Sequence, residues 1–227
     1  MTAGDQQDTA VEFRYPLVAL ALTTAVAGLI DAVTLLRYGV FTANQSGNIV
    51  HVGMGLSGHF SPWPVALASI VGFGVGGAVG GPLRRAATAS PPVTELLGVI
   101  VVFTLWATAD FLLDSGSRDR THQVLLAALA AVGLGILAVL FVRTAGVKTT
   151  PTYQTSTVLN AAQSLSAWIA RRGHNPSAAR RWTLGLVGIA CYAAGGAIGA
   201  IAQRSVAWVF VLAIAVLATL LAVARAH

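Results

Sequence analysis

Long apolar runs divide the chain into segments of membrane-spanning length. About 20 apolar residues in a helix cross a bilayer core of ~30 Å. Because the runs are continuous and rich in Ala, Leu and Gly, with no alternation of period two, they exclude membrane strands. The pattern predicts an all-α, polytopic membrane helix bundle. Its six spanning helices are expected at 17–36, 64–83, 93–113, 123–142, 182–202 and 205–224.

Two further segments, 42–58 and 151–170, are long enough for helices but too polar for ordinary lipid-facing spans. In the first, Asn44, Asn48 and His51 recur at helical spacing and share one face. The second carries an equivalent face of Thr152, Ser156, Asn160 and Gln163. Unpaired polar groups are costly in hydrocarbon. We therefore expect two polar motif half-helices whose polar faces look inward, at each other or at a wet cavity, with Thr42 capping the first.

The order of these elements repeats along the chain. The stretch "FGVGGAVGGPLRR" (73–85) aligns without a gap with "YAAGGAIGAIAQR" (192–204). The polar stretch "ANQSGNIVHV" (43–52) aligns with "TYQTSTVLNA" (152–161). Each half consists of a long helix, a polar motif helix, a glycine-rich helix and a plain helix. The sequence therefore predicts an internal repeat.

The repeat occupies a single predicted membrane domain, 16–227, with halves at about 16–114 and 122–225. Residues 1–15 are expected to be a disordered tail. Their acidic character is the reverse of a signal peptide's positively charged start, so we interpret the first apolar run as a retained helix.

The positions of Lys and Arg favour one topology. If the motif helices dip into the membrane without crossing, six spans leave both termini on one side. That side then carries ten positive residues: Arg14, Arg84, Arg85, Arg143, Lys148, Arg171, Arg172, Arg180, Arg181 and Arg225. The other side carries four: Arg37, Arg118, Arg120 and Arg204. The alternative, eight spans in a parallel 4+4 repeat, divides them eight to six. The positive-inside rule favours six spans, cytoplasmic termini and an inverted repeat.

Composition agrees with a membrane location. Hydrophobic residues make up 56% of the 227 positions and charged residues only 10%, whereas a soluble domain has roughly 25% charged residues. The net charge of +6 is explained by positive loops, so nucleic-acid binding is not expected. No residues have the spacing of a metal site, and no cofactor is implied. The chain lacks catalytic motifs such as H-E-x-x-H or G-x-S-x-G, so we do not expect an enzyme.

Residues 30–50, "IDAVTLLRYGVFTANQSGNIV", resemble the YoaK-like family of bacterial inner-membrane proteins, a domain of unknown function. That family shows a Thr-Ala-Asn-x-Thr-Gly-Asn motif after a first helix bearing Gly and Asp. The matching residues here are Gly28, Asp31, Thr42, Ala43, Asn44, Ser46, Gly47 and Asn48. The family's second Thr-Gly-Thr element becomes Thr155, Ser156 and Thr157, so its glycine is lost. The resemblance implies a multi-pass protein of the bacterial inner membrane and says little about activity.

The repeat and the polar motifs favour a transporter or permease for a small molecule or ion, because helix N-termini inside the membrane offer partial positive charge to a substrate. Asp31 strengthens this interpretation, since carboxylates within spans often carry protons or bind cations. The alternative for Asp31 is a pair with Arg37 near the headgroups, and Asp110 is expected to face water. Candidate substrate-path residues are Asp31, Thr42, Asn44, Gln45, Ser46, Gly47, Asn48, His51, Gln154, Thr155, Ser156, Thr157 and Asn160.

Two alternatives stay open. The polar side chains can instead hydrogen-bond between helices as packing contacts, in a non-catalytic interaction or assembly protein of the membrane. Small residues spaced four apart also let helices approach closely, either between the two halves or between two protomers of a homodimer. The helix-packing candidates are Gly76, Gly77, Gly80, Gly81, Gly195, Gly196 and Gly199.

Overall fold

Helices account for nearly all of the residues that the computed structural model describes. These residues are 15–86, 93–114, 119–140, 143–144, 147–148, 152 and 154–205, with six positions between 209 and 219. The helices are α1 (Pro16–Tyr38), α2 (Gln45–Leu56), α3 (Trp63–Ala86), α4 (Val93–Asp114), α5 (Arg120–Leu140), α6 (Gln154–Ala170) and α7 (Pro176–Ala202). Between α5 and α6, β1 (Arg143–Thr144) pairs antiparallel with β2 (Val147–Lys148).

Five of these helices are long and apolar enough to cross a membrane, namely α1, α3, α4, α5 and α7. They coincide with the first five predicted spans, although α7 begins at Pro176, where the side chain of Asn175 accepts the N–H of Ala178 at 3.1 Å and caps the helix. The sixth predicted span, 205–224, and the predicted tail, 1–15, fall largely outside the described residues. The motif segments form the shorter helices α2 and α6.

Glycines on α3 allow it to pack closely along α5. Gly72 lies against Ala128 and, further along, Gly80 lies against Ile136. Since residue numbers increase together on both helices, α3 and α5 run parallel. A Cβ atom at Gly76 would overlap the backbone of α5, so the contact requires glycine.

Helices α1 and α7 form a second pair of the same kind. Gly195 lies against Ala25 and Gly199 against Leu29, so these helices also run parallel. Gly76, Gly80, Gly195 and Gly199, which the sequence predicts as helix-packing residues, lie at these contacts, and their neighbours belong to the same chain. Gly77 and Gly196 sit at the edge of these contacts, and Gly81 is half-buried near the end of α3.

The core lies where α1, α4 and α5 meet. Its largest fully buried side chains include Ile30 from α1, Trp106 from α4 and Leu134 from α5. Leu212 and Val216, two of the described positions beyond α7, belong to the same apolar cluster. This cluster holds α4 in the bundle and leaves one side of α1 free to contact α7.

The chain enters the bundle between α1 and α2 and then returns. Gly39 (φ 76) ends α1 in the left-handed conformation and lies beside Pro62, just before α3. Helix α2 begins beside Ser69 of α3 and ends beside Trp63, so it runs antiparallel to α3. The end of α1, the end of α2 and the start of α3 therefore share one end of the bundle.

Helix α6 is arranged in the same way against α7. Thr157 lies beside Gly188, Ala161 beside Gly185, and the ring of Trp168 packs at 6.0 Å from that of Trp182. Along these contacts the residue numbers increase on α6 as they decrease on α7, so the two helices are antiparallel. The start of α6 is thus level with the middle of α7, and its end is level with the start of α7.

We predict that Gly76→Ala destabilises the protein, because its Cβ would lie against the carbonyl oxygen of Val132 and push α3 away from α5. Overpacking of this kind costs roughly 1–3 kcal/mol. Gly74→Ala is the matched control, since beyond the adjacent residues and backbone of its own helix no atom lies within 4 Å of a Cβ at Gly74 and alanine has the higher helix propensity. Thermal unfolding in detergent measures both. Equal melting temperatures for the two variants would contradict the close contact.

Candidate functional site

The carboxylate of Asp31 binds the chain at the start of α2. Its Oδ1 atom accepts the N–H groups of Thr42 at 2.7 Å and Ala43 at 2.6 Å, and Oδ2 accepts the N–H of Asn44 at 3.1 Å. The Thr42 hydroxyl also donates to Oδ1, at 3.2 Å. Thr42 and Ala43 precede α2 and Asn44 is its N-cap residue, and buried N–H groups of such a segment need acceptors. Asp31, only 3% exposed, therefore holds the turn before α2 from a neighbouring helix.

A fifth donor to Asp31 comes from the second half of the chain. The hydroxyl of Tyr192 on α7 donates to Oδ2. This approach depends on Gly28, where a Cβ would overlap the carbonyl oxygen of Tyr192. A single buried carboxylate thus joins α1, the start of α2 and α7. The alternative pairing of Asp31 with Arg37 is wrong, because Arg37 contacts a different carboxylate.

Asn48 organises the turn that precedes α2. Its Nδ2 group donates to the carbonyl of Phe41 at 2.6 Å, and its Oδ1 atom accepts the N–H of Phe41 at 3.0 Å. The hydroxyl of Ser69 donates to the same carbonyl at 2.7 Å. Gln45 contributes its Nε2 group to the carbonyl of Thr42 at 2.7 Å. The inward-facing amides of this motif are thus hydrogen-bonded to nearby backbone.

The other residues of the first motif lie around this network. Ser46 is exposed and donates to Oδ1 of Asn44 at 2.7 Å. The ring of Phe41 covers Gly47, and His51 stacks on Phe60 with ring centroids 4.2 Å apart. The hydroxyl of Thr42 contacts Asp31 and does not cap α2. Asn44 holds the N-cap position without a side-chain hydrogen bond, so the prediction that Thr42 caps this helix is wrong.

The second motif is arranged differently. Helix α6 turns Thr157 and Ala161 toward α7. Gln154 and Thr157 are half-buried and Thr152 is buried, but Thr155, Ser156, Asn160 and Gln163 are exposed. Ser156, Asn160 and Gln163 are therefore not buried between helices, and the prediction that they face a wet cavity stays a prediction. Ser156 and Asn160 lie one position before the residues that contact α7, so they point about 100° from that contact.

A buried ion pair between α1 and α4 was missed by the sequence interpretation. Asp110 is fully buried and forms a salt bridge with Arg37. Its other oxygen accepts the hydroxyl of Tyr38, which in turn accepts the indole N–H of Trp106 at 3.2 Å. Arg37 also donates to the carbonyl of Gln203 at 3.0 Å. The prediction that Asp110 faces water is therefore wrong. Its position in the sequence could have indicated burial, because Asp110 lies within the apolar run 93–113, about one turn before that run ends.

We predict that Asn48→Ala destabilises the protein, because the buried N–H of Phe41 loses its acceptor. Each buried polar group left unpaired costs roughly 1–3 kcal/mol. Asn160→Ala, the same change at an exposed amide on α6, should have a much smaller effect. Thermal unfolding of both variants in detergent makes the comparison. A similar loss from the two changes would show that the Asn48 network does not stabilise the turn.

One of the comparisons with known proteins identifies a family for this chain. A family model described as "Protein of unknown function (DUF1275)" matches residues 19–224, which include every helix from α2 to α7 and most of α1. The resemblance of residues 30–50 to the YoaK-like family is consistent with this match. No curated protein and no solved structure matches the chain. Because the family model covers nearly the whole chain, the protein belongs to the DUF1275 family.

Proposed function

We propose that this protein is an integral inner-membrane transporter or permease for a small molecule or ion. The observation that supports it most is the placement of Asp31, a buried carboxylate within a helix of membrane-spanning length. Ionisable groups at such depth are costly and commonly mark substrate, ion or proton pathways. Here the carboxylate also meets a helix that starts inside the bundle, an arrangement typical of transporters with discontinuous helices.

The packing of α2 and α6 supports six spans over eight. The end of α1 and the start of α3 share one end of the bundle, since Gly39 lies beside Pro62. Helix α2 therefore enters and leaves at the same end. Helix α6 likewise starts level with the middle of α7 and ends beside the start of α7, at the opposite end of the bundle. In this topology the termini are cytoplasmic, and the ten-to-four division of Lys and Arg obeys the positive-inside rule.

The helix pairs support an inverted repeat. The first helix of each half, α1 or α5, runs parallel to the glycine-rich helix of the other half, α7 or α3. Gly28 meets the carbonyl of Tyr192 in one pair, and Gly135 meets the carbonyl of Phe73 in the other. The ionisable site has no counterpart in the second pair, because α5 contains no acidic residue. The proposed path is therefore centred on the first half.

The proposed path begins at the start of α2. Ser46 is exposed and Asn44, its hydrogen-bond partner, is half-buried. The backbone N–H of Asn44 in turn reaches Asp31, so polar groups lead from the surface to the carboxylate. Thr155, Ser156 and Asn160 would line a separate polar surface on α6. The bilayer covers the remaining apolar exterior.

A second candidate function is non-catalytic interaction or assembly within the membrane. It is favoured by the exposed amides of Asn160 and Gln163 on α6, which a partner could pair. A homodimer would use such a surface, because Gly76 and Gly195 already contact helices of their own chain. Neither candidate involves catalysis. Loss of uptake when the Asp31 carboxylate alone is changed would support the transporter, whereas an assembly protein would show no uptake to lose.

We predict that residues 61 and 175 lie on opposite sides of the membrane. Single cysteines are placed at Ser61 and at Asn175 after replacing Cys191, the one native cysteine, with serine. A membrane-impermeant thiol reagent added to intact cells should label the Ser61 position. It should label the Asn175 position only after permeabilisation. Labelling of both from one side would favour the eight-span topology.

We further predict that Asp31→Asn abolishes transport. Amino acids, carboxylates, sugars and alkali cations are first screened for compounds that raise the melting temperature, since a ligand that binds the folded state stabilises it. Uptake of each radiolabelled hit is then measured in proteoliposomes, per amount of folded protein. Asp110→Asn is the matched control, because it changes another buried carboxylate outside the proposed path and should retain uptake. Full uptake by Asp31→Asn would remove this residue from the mechanism.

A further inference from the structure

We propose that Asp31 is a proton-binding site that excludes metal cations, and that its protonation loosens the link between α2 and Tyr192. This inference rests on the proposed transport function and specifies the coupling ion. It follows from the kind of groups that surround the carboxylate. Five donors reach it, three from backbone N–H groups and two from the hydroxyls of Thr42 and Tyr192.

Such a shell does not suit a metal cation. Hard cations are bound by about six or more oxygen ligands that present lone pairs, whereas the groups directed at Asp31 present hydrogens. A cation at this carboxylate would have to displace the N–H groups of Thr42, Ala43 and Asn44 and leave the start of α2 unpaired. Across the described part of the chain, no three His, Cys, Asp or Glu side chains come together as metal ligands. A proton needs no such set of ligands.

The charge around Asp31 also favours proton uptake over a fixed ion pair. Arg37, six positions along α1, is bound to Asp110 and to the carbonyl of Gln203. Tyr192 is the titratable group that contacts Asp31 from α7, and the segment before α2 contributes Thr42, Ala43 and Asn44, which do not titrate. Among the described residues, the carboxylate is therefore contacted by backbone N–H groups and hydroxyls and by no full positive charge. By contrast, Asp110 forms a salt bridge with the guanidinium of Arg37.

The geometry identifies the oxygen that takes the proton. Oδ1 accepts three hydrogen bonds, from Thr42 and Ala43. Oδ2 accepts two, from Asn44 at 3.1 Å and from the Tyr192 hydroxyl. Backbone N–H groups are fixed by the chain, but a phenolic O–H rotates about its C–O bond. A proton from water therefore forms its O–H bond at Oδ2, while the Tyr192 hydroxyl turns its hydrogen away.

This step links protonation to the contact between the two halves. In the ionised state, Tyr192 of α7 and the start of α2 bind the same carboxylate. After protonation, the new O–H of Oδ2 donates to the Tyr192 oxygen, whose own hydrogen has turned away, so a weaker neutral hydrogen bond replaces the charge-assisted hydrogen bond between α7 and α1. The proton enters from the side of Asn44, which is half-buried beside the exposed Ser46.

Infrared difference spectroscopy tests this inference without any substrate. Wild-type protein in lipid films is titrated from alkaline to acidic pH. We expect a protonated-carboxyl C=O band that is retained in Asp110→Asn and absent from Asp31→Asn. We also expect a simultaneous change in the tyrosine C–O band that is absent from Tyr192→Phe. Exchange of choline for sodium or potassium at fixed pH should leave the spectrum unchanged.

The outcomes separate this inference from the proposed function. A wild-type titration without the Asp31-dependent carboxyl band, or a sodium-dependent change at fixed pH, would overturn proton binding. Sodium-driven uptake in proteoliposomes, combined with either result, would support the proposed transport function and contradict the inference that Asp31 binds the coupling proton. The carboxyl band in a protein that transports none of the screened compounds would retain the proton site and count against transport. A carboxyl band without the tyrosine change would overturn the loosening of Tyr192.

Discussion

A chain that turns back inside an apolar bundle must satisfy its backbone N–H groups there, and Asp31 does this for the turn that leads into α2. The carboxylate accepts the N–H groups of Thr42, Ala43 and Asn44 from within α1. Without an acceptor at this depth, each buried N–H would cost free energy comparable to a lost hydrogen bond. The return of the chain after α1, the short length of α2 and the position of the polar motif all depend on this contact.

Glycines determine how the halves fit around that contact. Gly28 lets the backbone of Tyr192 approach α1, and Gly195 lets α7 approach Ala25. The same close approach joins α3 to α5 through Gly76. In hydrocarbon, helices gain little from burying apolar surface, and backbone proximity supplies the packing contacts instead. The hydroxyl of Tyr192 reaches Asp31 because these helices lie so close together.

Two buried carboxylates are stabilised in different ways. Asp110 pairs with Arg37 and accepts the hydroxyl of Tyr38, so a full positive charge balances it. Removing one partner from such a pair leaves an uncompensated buried charge, which makes it a structural tie between α1 and α4. Asp31 is surrounded by neutral donors, three backbone N–H groups and two hydroxyls. It is therefore held by hydrogen bonds alone, whereas Asp110 is held by an ion pair.

The sequence alone determined the class of the fold, because continuous apolar runs of about 20 residues with scarce charge favour helices that are long and apolar enough to cross a membrane. It also located Asp31, the motif around Asn48 and the packing glycines, since each is a polar or small residue in an apolar context. Only the tertiary structure decided which side chains form ion pairs and hydrogen bonds with one another. Arg37 binds Asp110 instead of Asp31, and α6 turns Asn160 outward, because hydrogen-bond partners depend on helix rotation and depth, which residues distant in the chain determine together.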